Sequence, residues 1–366
     1  MVKSIYIHIP FCNNICTYCD FKKIYYNKIY INKYLDSLEY EIKTIYKNEI
    51  IDTIYIGGGT PSSLSLEELK RLFDIIKIIK LNNNYEFTFE CNIENIDKEK
   101  LELLYDNKVN RLSIGIQTFN KKLLNILGRK HTVEEVYEKI DIIKKIGFKN
   151  ISIDLIYAIN GETLEDLKYD LECFLSLDIP HISCYSLILE PNTKLYIDKT
   201  QYIDEDLDYE MYKLINTKLK DYKHYEVSNY AKEGYSSKHN LVYWNNLEYY
   251  GFGLSASGYI NNIRYTNTYN INKYINREYI KEKELLTFND ILSNEFILGL
   301  RKIDGINKIE FKNKYHIDIN DIDVVNRLIN ECKLIDDGIN IKIPNIYLSN
   351  NVLIEFLNID YEKLLK

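Results

Sequence analysis

The stretch Tyr6-Ile7-His8-Ile9-Pro10-Phe11-Cys12-Asn13-Asn14-Ile15-Cys16-Thr17-Tyr18-Cys19 decides how the rest of the chain is read. An apolar, strand-like run stops at a proline and opens into Cys12-x3-Cys16-x2-Cys19. Three thiolates crowded into one loop repel each other unless a metal neutralises them. A structural zinc site wants a fourth ligand close by, but Phe21 follows Asp20, and the near imidazole, His8, precedes the loop on the strand. Three cysteines suit a [4Fe–4S] cluster with one iron left open for a small ligand. Zinc and free thiols are the plainer alternatives.

Outward from that loop, short apolar runs alternate with amphipathic ones. Strands are predicted at Ser4–His8, Thr53–Ile56, Tyr85–Glu90, Arg111–Gln117, Asn150–Tyr157 and His181–Leu189. Between the first two, Ile31, Tyr34, Leu35, Leu38, Ile42 and Ile45 share one helical face. Ser65-x-x-Glu68, Thr132-x-x-Glu135 and Thr163-x-x-Asp166 are helix-start signals, and Gly147 closes the helix Val133–Ile146. Six βα units imply an α/β chain with a parallel sheet, either open and doubly wound or a full or partial barrel. The alternation ends near Asp204, where a helix to Tyr222 begins. The expected division is 1–200, a connecting region 201–289, and a tail 290–366. That tail reads helix, helix, helix, hairpin, helix, a small α+β module of winged-helix type with its turn at Asp336-Asp337-Gly338.

The composition sets limits. Of 366 residues, 46% are apolar and 28% charged, which excludes a disordered chain. Net charge −7 argues against nucleic acid as a partner. Lysines interrupt every apolar stretch, no secretory leader fits the first residues, and the seven cysteines are odd in number and unevenly spaced. A reduced, cytoplasmic protein is expected. Tyr (34), Ile, Asn and Lys form an A/T-codon background in which Gly (14), Pro (5) and Trp (1) are scarce. Where the scarce residues cluster, something requires them.

They cluster at strand ends, where barrels of this kind carry their working residues. Strand two runs into Gly57-Gly58-Gly59-Thr60-Pro61, whose missing side chains allow close approach and whose N–H groups can meet a carboxylate or ribose. Strand three ends at Glu90 and strand four at Gln117; strand five carries Asp154, and Arg129 precedes a capped helix.

The run Tyr6 to Cys19 resembles the cluster loop of radical S-adenosylmethionine (SAM) enzymes. That resemblance implies a partial (β/α)6 barrel. It also implies a [4Fe–4S] cluster on Cys12, Cys16 and Cys19 that binds SAM and, when reduced, cleaves it to methionine and a 5′-deoxyadenosyl radical. Arg111-Leu-Ser-Ile-Gly-Ile-Gln117, Ile153-Asp-Leu-Ile-Tyr157 and His181-Ile-Ser-Cys-Tyr-Ser-Leu187 resemble blocks of the oxygen-independent coproporphyrinogen III dehydrogenases and their relatives. By that resemblance Tyr6, Gly58, Gly59, Thr60, Glu90, Gln117, Arg129, Asp154 and Ile188 are SAM-contacting positions. Gly59 and Thr60 would meet the methionyl group, and Glu90 a ribose hydroxyl or the amine. Arg129 and Asp154 would bracket the carboxylate and ribose, with Ile188 against adenine. Cys91, beside the site, is left open as an oxidation-prone thiol, a ligand or a filler.

Two branches of that family differ. The decarboxylating dehydrogenases of haem biosynthesis have a further cysteine two residues past the third and a longer N-terminal extension. Here Phe21 takes that place, and eleven residues precede Cys12. His239-Asn240-Leu241-Val242-Tyr243-Trp244 is similar to the His-Asn-x-x-Tyr-Trp string of HemW-type haem chaperones. The branch implies haem as cargo on His239, Tyr243 and Trp244, with imidazole as axial ligand and aromatic rings on the porphyrin. It further implies recipient haemoproteins of the respiratory chain, peripheral contact with the inner face of a membrane, and a monomer–dimer equilibrium. A decarboxylating dehydrogenase is the alternative.

Overall fold

The computed structural model describes residues 1–357, 359–361 and 363. Its six leading strands are β1 (Ser4–Ile9), β2 (Ile50–Gly58), β3 (Lys80–Asn92), β4 (Arg111–Gln117), β5 (Asn150–Tyr157) and β6 (His181–Ser186). They pair in parallel, in chain order. The connecting helices are α1 (Lys28–Ile45), α2 (Leu66–Ile76), α3 (Lys98–Asp106), α4 (Lys121–Leu127), α5 (Val133–Ile146) and α6 (Leu164–Ser176). Beyond β6, α7 (Glu205–Lys218) leads into an antiparallel hairpin, β7 (Lys223–Glu226) and β8 (Asn229–Ala231). Next come α8 (Lys238–Trp244) and β9 (Tyr250–Phe252), which pairs in parallel with β1. The sheet order is β9-β1-β2-β3-β4-β5-β6-β8-β7, so among the described residues the sheet curls without closing. This is the partial barrel of six βα units that the sequence predicts.

The strands alternate, but not in the usual sense. Ile5, Ile7 and Ile9 of β1 are fully buried against the helices, as are Ile54 and Ile56 of β2. Their neighbours one residue along, including Tyr6, His8, Thr53 and Tyr55, are polar. An apolar outer face anchors the strands while the inner face is left for chemistry. The three capping boxes form as read from the sequence, and Gly147 ends α5 at φ 121°. Limits differ from expectation in four strands: β1 runs one residue further, β2 extends at both ends, and β3 and β6 differ most. β3 begins five residues early, because Lys80 and Leu81 pair with Ile50 and Ile51 despite their polar surroundings. β6 stops at Ser186, and the Leu187 N–H turns to the Tyr157 carbonyl.

Residues of the connecting region, among them Met211, Ile215, Tyr230, Phe252 and Tyr274, share one buried cluster with the barrel strands. The tail has its own cluster, running from Leu292 to Tyr361. It holds three helices, then a hairpin that turns at Gly338 (φ 90°), then a short helix. The pairing of Ile306–Asn307 with Asn340–Lys342 adds a third strand that periodicity did not reveal. No helix among the described residues is long and apolar enough to cross a membrane.

α8 packs against β2 and β3, bonding to Thr53 and Glu86. Its first turn is anchored on the buried carboxylate of Glu86 in β3, which accepts from the N–H groups of Lys238 (3.0 Å) and His239 (3.0 Å). Negative charge at a helix start satisfies donors that the helix itself cannot. Replacing Glu86 by alanine strands those donors in the interior, so urea unfolding is expected to show a loss of about 3 kcal/mol. A loss within the scatter of surface substitutions would contradict this anchor.

Candidate functional site

The three cysteines sit in a loop pinned from several sides. Phe11–Cys12 pairs in parallel with Ile24–Tyr25, closing the base of the loop. At its far side Thr17 donates from its N–H to Leu127 (3.1 Å) and from its hydroxyl to Ile126 (2.7 Å), while Asn14 reaches the Gly128 carbonyl (2.8 Å). All three thiols are free and line one wall of a cavity of about 460 Å³ at the strand ends.

The glycine run forms the next wall. The N–H groups of Gly59 and Thr60 donate to the carbonyls of Ile9 (2.8 Å) and Phe11 (2.9 Å), and that of Gly58 to Glu90 Oε2 (3.1 Å). None of the three is free, which corrects the expectation of open donors. The glycines are required for contact instead. A Cβ on Gly59 would stand 2.8 Å from the Pro10 carbonyl and 3.0 Å from Cys12 Sγ; on Gly57 it would stand 2.8 Å from the Glu90 carboxyl. Thr60 directs its hydroxyl at Cys12 Sγ (3.5 Å).

Each remaining strand end adds a group. Glu90 also accepts from the Tyr55 hydroxyl (2.7 Å); burial pushes its carboxyl up to about 7, with Tyr55 pulling it down, Asp154 adding to the rise and Arg111 opposing it. Asp154 is raised by burial and opposed by Ser183, Arg111 and Ser113. Gln117 takes a left-handed backbone (φ 72°), a strained turn that puts its side chain on the cavity wall. Arg129 is bonded to the Gly115 carbonyl (2.6 Å), lies 3.8 Å from Cys16 Sγ and pairs with Glu94 (3.3 Å). Burial pushes Glu94 up, but the His131 hydrogen bond and the Arg129 charge outweigh it, holding that carboxyl at about 2. Ile188 stands at the mouth, 63% exposed. Cys91 is buried on the wall as a neutral thiol.

Sequence reasoning missed Tyr55, Glu94, Arg111 and Asn240. Arg111 and Asn240 line the inner part of the same cavity, and the buried Arg111 has no ion pair among the described residues. The signal for Arg111 was present, since Arg111-x-Ser113-x-Gly115-x-Gln117 is a polar stripe of period two along β4.

Of the α8 string, His239 is fully buried, with Nδ1 bonded to the Thr53 hydroxyl (2.8 Å) and Nε2 to the Tyr243 hydroxyl (2.8 Å). Burial and the Arg111 charge lower it to about 3, so the ring is neutral. It lies 5.2 Å from the Tyr55 ring, the same tyrosine that bonds Glu90. Both ring nitrogens are engaged, so iron ligation by His239 requires the bond at the ligating nitrogen to break. Trp244 lies beneath the Arg301 guanidinium (6.0 Å) at the junction with the tail and lines neither this cavity nor the next. Tyr243 is half-buried and borders a second cavity of about 340 Å³, shared with Tyr6, Phe21, Tyr249 and Tyr269.

Residues 6–174 match the radical SAM superfamily. The chain is 41% identical to the haem chaperone HemW of Lactococcus lactis subsp. lactis (strain IL1403), over 97% of each chain. The chain belongs to the HemW haem chaperone family. Identity with HemW of Bacillus subtilis (strain 168) is 42%, over 86% of this chain and 87% of that one. Coproporphyrinogen III oxidase (HemN) from Escherichia coli shares the fold, with a TM-score of 0.85 over 98% of this chain and 90% of its own at 20% identity.

Radical SAM membership implies a [4Fe–4S] cluster and SAM, and the donor set fits both. Three free thiols share one cavity wall with no acid among their hydrogen-bond partners, and the Arg129 cation lies beside Cys16. Burial pushes Cys12 up to about 11, as expected of a thiol that ionises only on meeting a metal. Substituting alanine for Gly59 is expected to displace Cys12 and lower iron bound after anaerobic reconstitution by at least roughly half, with the circular dichroism spectrum unchanged. Full loading would contradict the crowding. SAM affinity should rise between about pH 6 and about pH 8 as Glu90 ionises, and isothermal titration of Glu90→Gln should lose that slope. A slope kept in the variant would assign it to another group.

Proposed function

We propose that the chain carries haem and hands it to recipient haemoproteins of the respiratory chain, with a [4Fe–4S] cluster on Cys12, Cys16 and Cys19 and SAM at its open iron. The observation that carries this reading is 41% identity over nearly the whole of both chains with a protein named for haem carriage. In this reading Gly58 and Gly59 make room for the methionyl group and the Thr60 hydroxyl faces it, whereas Tyr6, the remaining expected SAM contact, lines the second cavity. Glu90 accepts from the amine or a ribose hydroxyl, Gln117 and Asp154 border the ribose, Arg129 faces the carboxylate, and the exposed Ile188 covers adenine. A bound cluster supplies an electron to this site.

Haem meets α8 on the side of Tyr243. His239 aims that phenol and ties the helix to β2, and Trp244 seats the helix against the tail. Hand-over at the inner face of a membrane is a transient contact made from the cytoplasm, and the carrier exchanges between monomer and dimer. The cavity of about 460 Å³ at the strand ends is the place for cluster and SAM. Identity of 41% and 42% with two proteins named as haem chaperones favours carriage over decarboxylation.

The test uses one anaerobic preparation reconstituted with iron and sulfide. About four irons and four sulfides per chain, a saturable Soret shift with haemin and no conversion of coproporphyrinogen III are expected. Zinc-loaded, iron-free protein would overturn the cluster. Turnover of coproporphyrinogen without haem binding would instead make the chain a decarboxylating dehydrogenase.

A further inference from the structure

Resting on that reading, we propose that haem binds in the open cavity on the flank of the barrel. There its plane lies between the rings of Phe21, Tyr243, Tyr249 and Tyr269, and its propionates face Lys22 and Lys281. The cavity lies where β1, α8 and the segment just past Cys19 meet, so Asp20 and Phe21 form part of its wall and of the cluster cavity's wall as well.

Three observations carry the assignment. The first is the aromatic lining: five of the ten lining residues are Tyr or Phe, set among polar groups. Tyr243 and Tyr249 meet edge to face at 4.7 Å, whereas Phe21 and Tyr269 stand 65% and 45% exposed. Large rings left in water at the rim of a cavity mark a binding site for an apolar face. The second is charge. Lys22 Nζ lies 5.0 Å and Lys281 Nζ 4.1 Å from the centre of the Tyr269 ring, so two cations converge at the rim. Lys22 has no ion pair among the described residues, while Lys281 is paired with Glu282 (2.7 Å). Asp20 is the single acid on the lining. A flat apolar disc with carboxylates along one edge fits rings inside and cations at the rim.

The third observation is size. A volume of about 340 Å³ lies at the lower end for ligand cavities, and this one is open to solvent. A porphyrin therefore enters by one edge and leaves the other outside, as a carrier needs if a recipient is to take hold before the donor lets go. His239 is a positioning residue here: it holds the Tyr243 hydroxyl from behind (2.8 Å) and so fixes the ring that faces the cargo.

The test compares haemin with its propionate dimethyl ester on full-length, cluster-reconstituted protein, read by Soret titration. Wild-type protein should bind the ester roughly tenfold more weakly than haemin. The double variant Lys22→Glu, Lys281→Glu should weaken haemin by a similar factor and leave the ester unchanged. Phe21→Ser with Tyr269→Ser should weaken both ligands. All four changes lie at exposed or half-exposed side chains, and matched thermal melts confirm the fold. If wild-type protein binds haemin and every variant binds it equally well, the cavity assignment falls and the carrier reading stands. If wild-type protein binds no haemin, both fall.

Discussion

The imidazole of His239, held between the Thr53 and Tyr243 hydroxyls, is the contact on which the rest of the arrangement depends. Among the curled sheet's strands, α8 packs against β2 and β3. The helix is too short to hold itself there by propensity, so it is fixed by buried polar bonds to Glu86 at its start and from His239 one residue on, with the Trp244 ring under the Arg301 guanidinium at its end. With burial lowering the ring to about 3, it stays neutral and keeps one nitrogen as donor and the other as acceptor. A charged ring could not accept from either hydroxyl.

That contact also joins the two cavities. From His239 the path runs through the adjacent Tyr55 ring to Glu90 and the Gly58 N–H, beside the cluster loop. In the other direction it passes to Tyr243 and the flank. Burying this many polar groups is costly unless each is paired. The strands meet that cost on their outer faces, where rows of fully buried isoleucines pack against the helices. The close approach of Gly59 to Pro10 and Cys12 completes the strand-end wall, and no other residue type fits there.

Much of this was legible in the sequence. The cysteine spacing, the glycine run and the capping boxes each have a local cause, so they could be read locally. Glu90, Gln117, Arg129 and Asp154 were found because they interrupt apolar runs or follow them, and the cavity brings them together. Glu94 and Tyr55 were missed because each acts through a partner distant in sequence, Arg129 and Glu90 respectively. His239 was read as an axial haem ligand; a sequence shows the imidazole but not the two hydroxyls that meet it. The flank cavity was invisible for a related reason: Phe21, Tyr243 and Tyr269 lie far apart in the chain and vanish among thirty-four tyrosines and thirteen phenylalanines.

Haem carriage is tested most directly by transfer. Protein loaded with one haem is mixed with an apo-haemoprotein of the respiratory chain, and the Soret band of the recipient is followed in time. The account predicts that haem appears in the recipient faster than it escapes from the carrier to a passive haem scavenger, because the recipient grips the exposed porphyrin edge before release. Equal rates for recipient and scavenger would contradict it, since haem would then be lost to solvent rather than handed on.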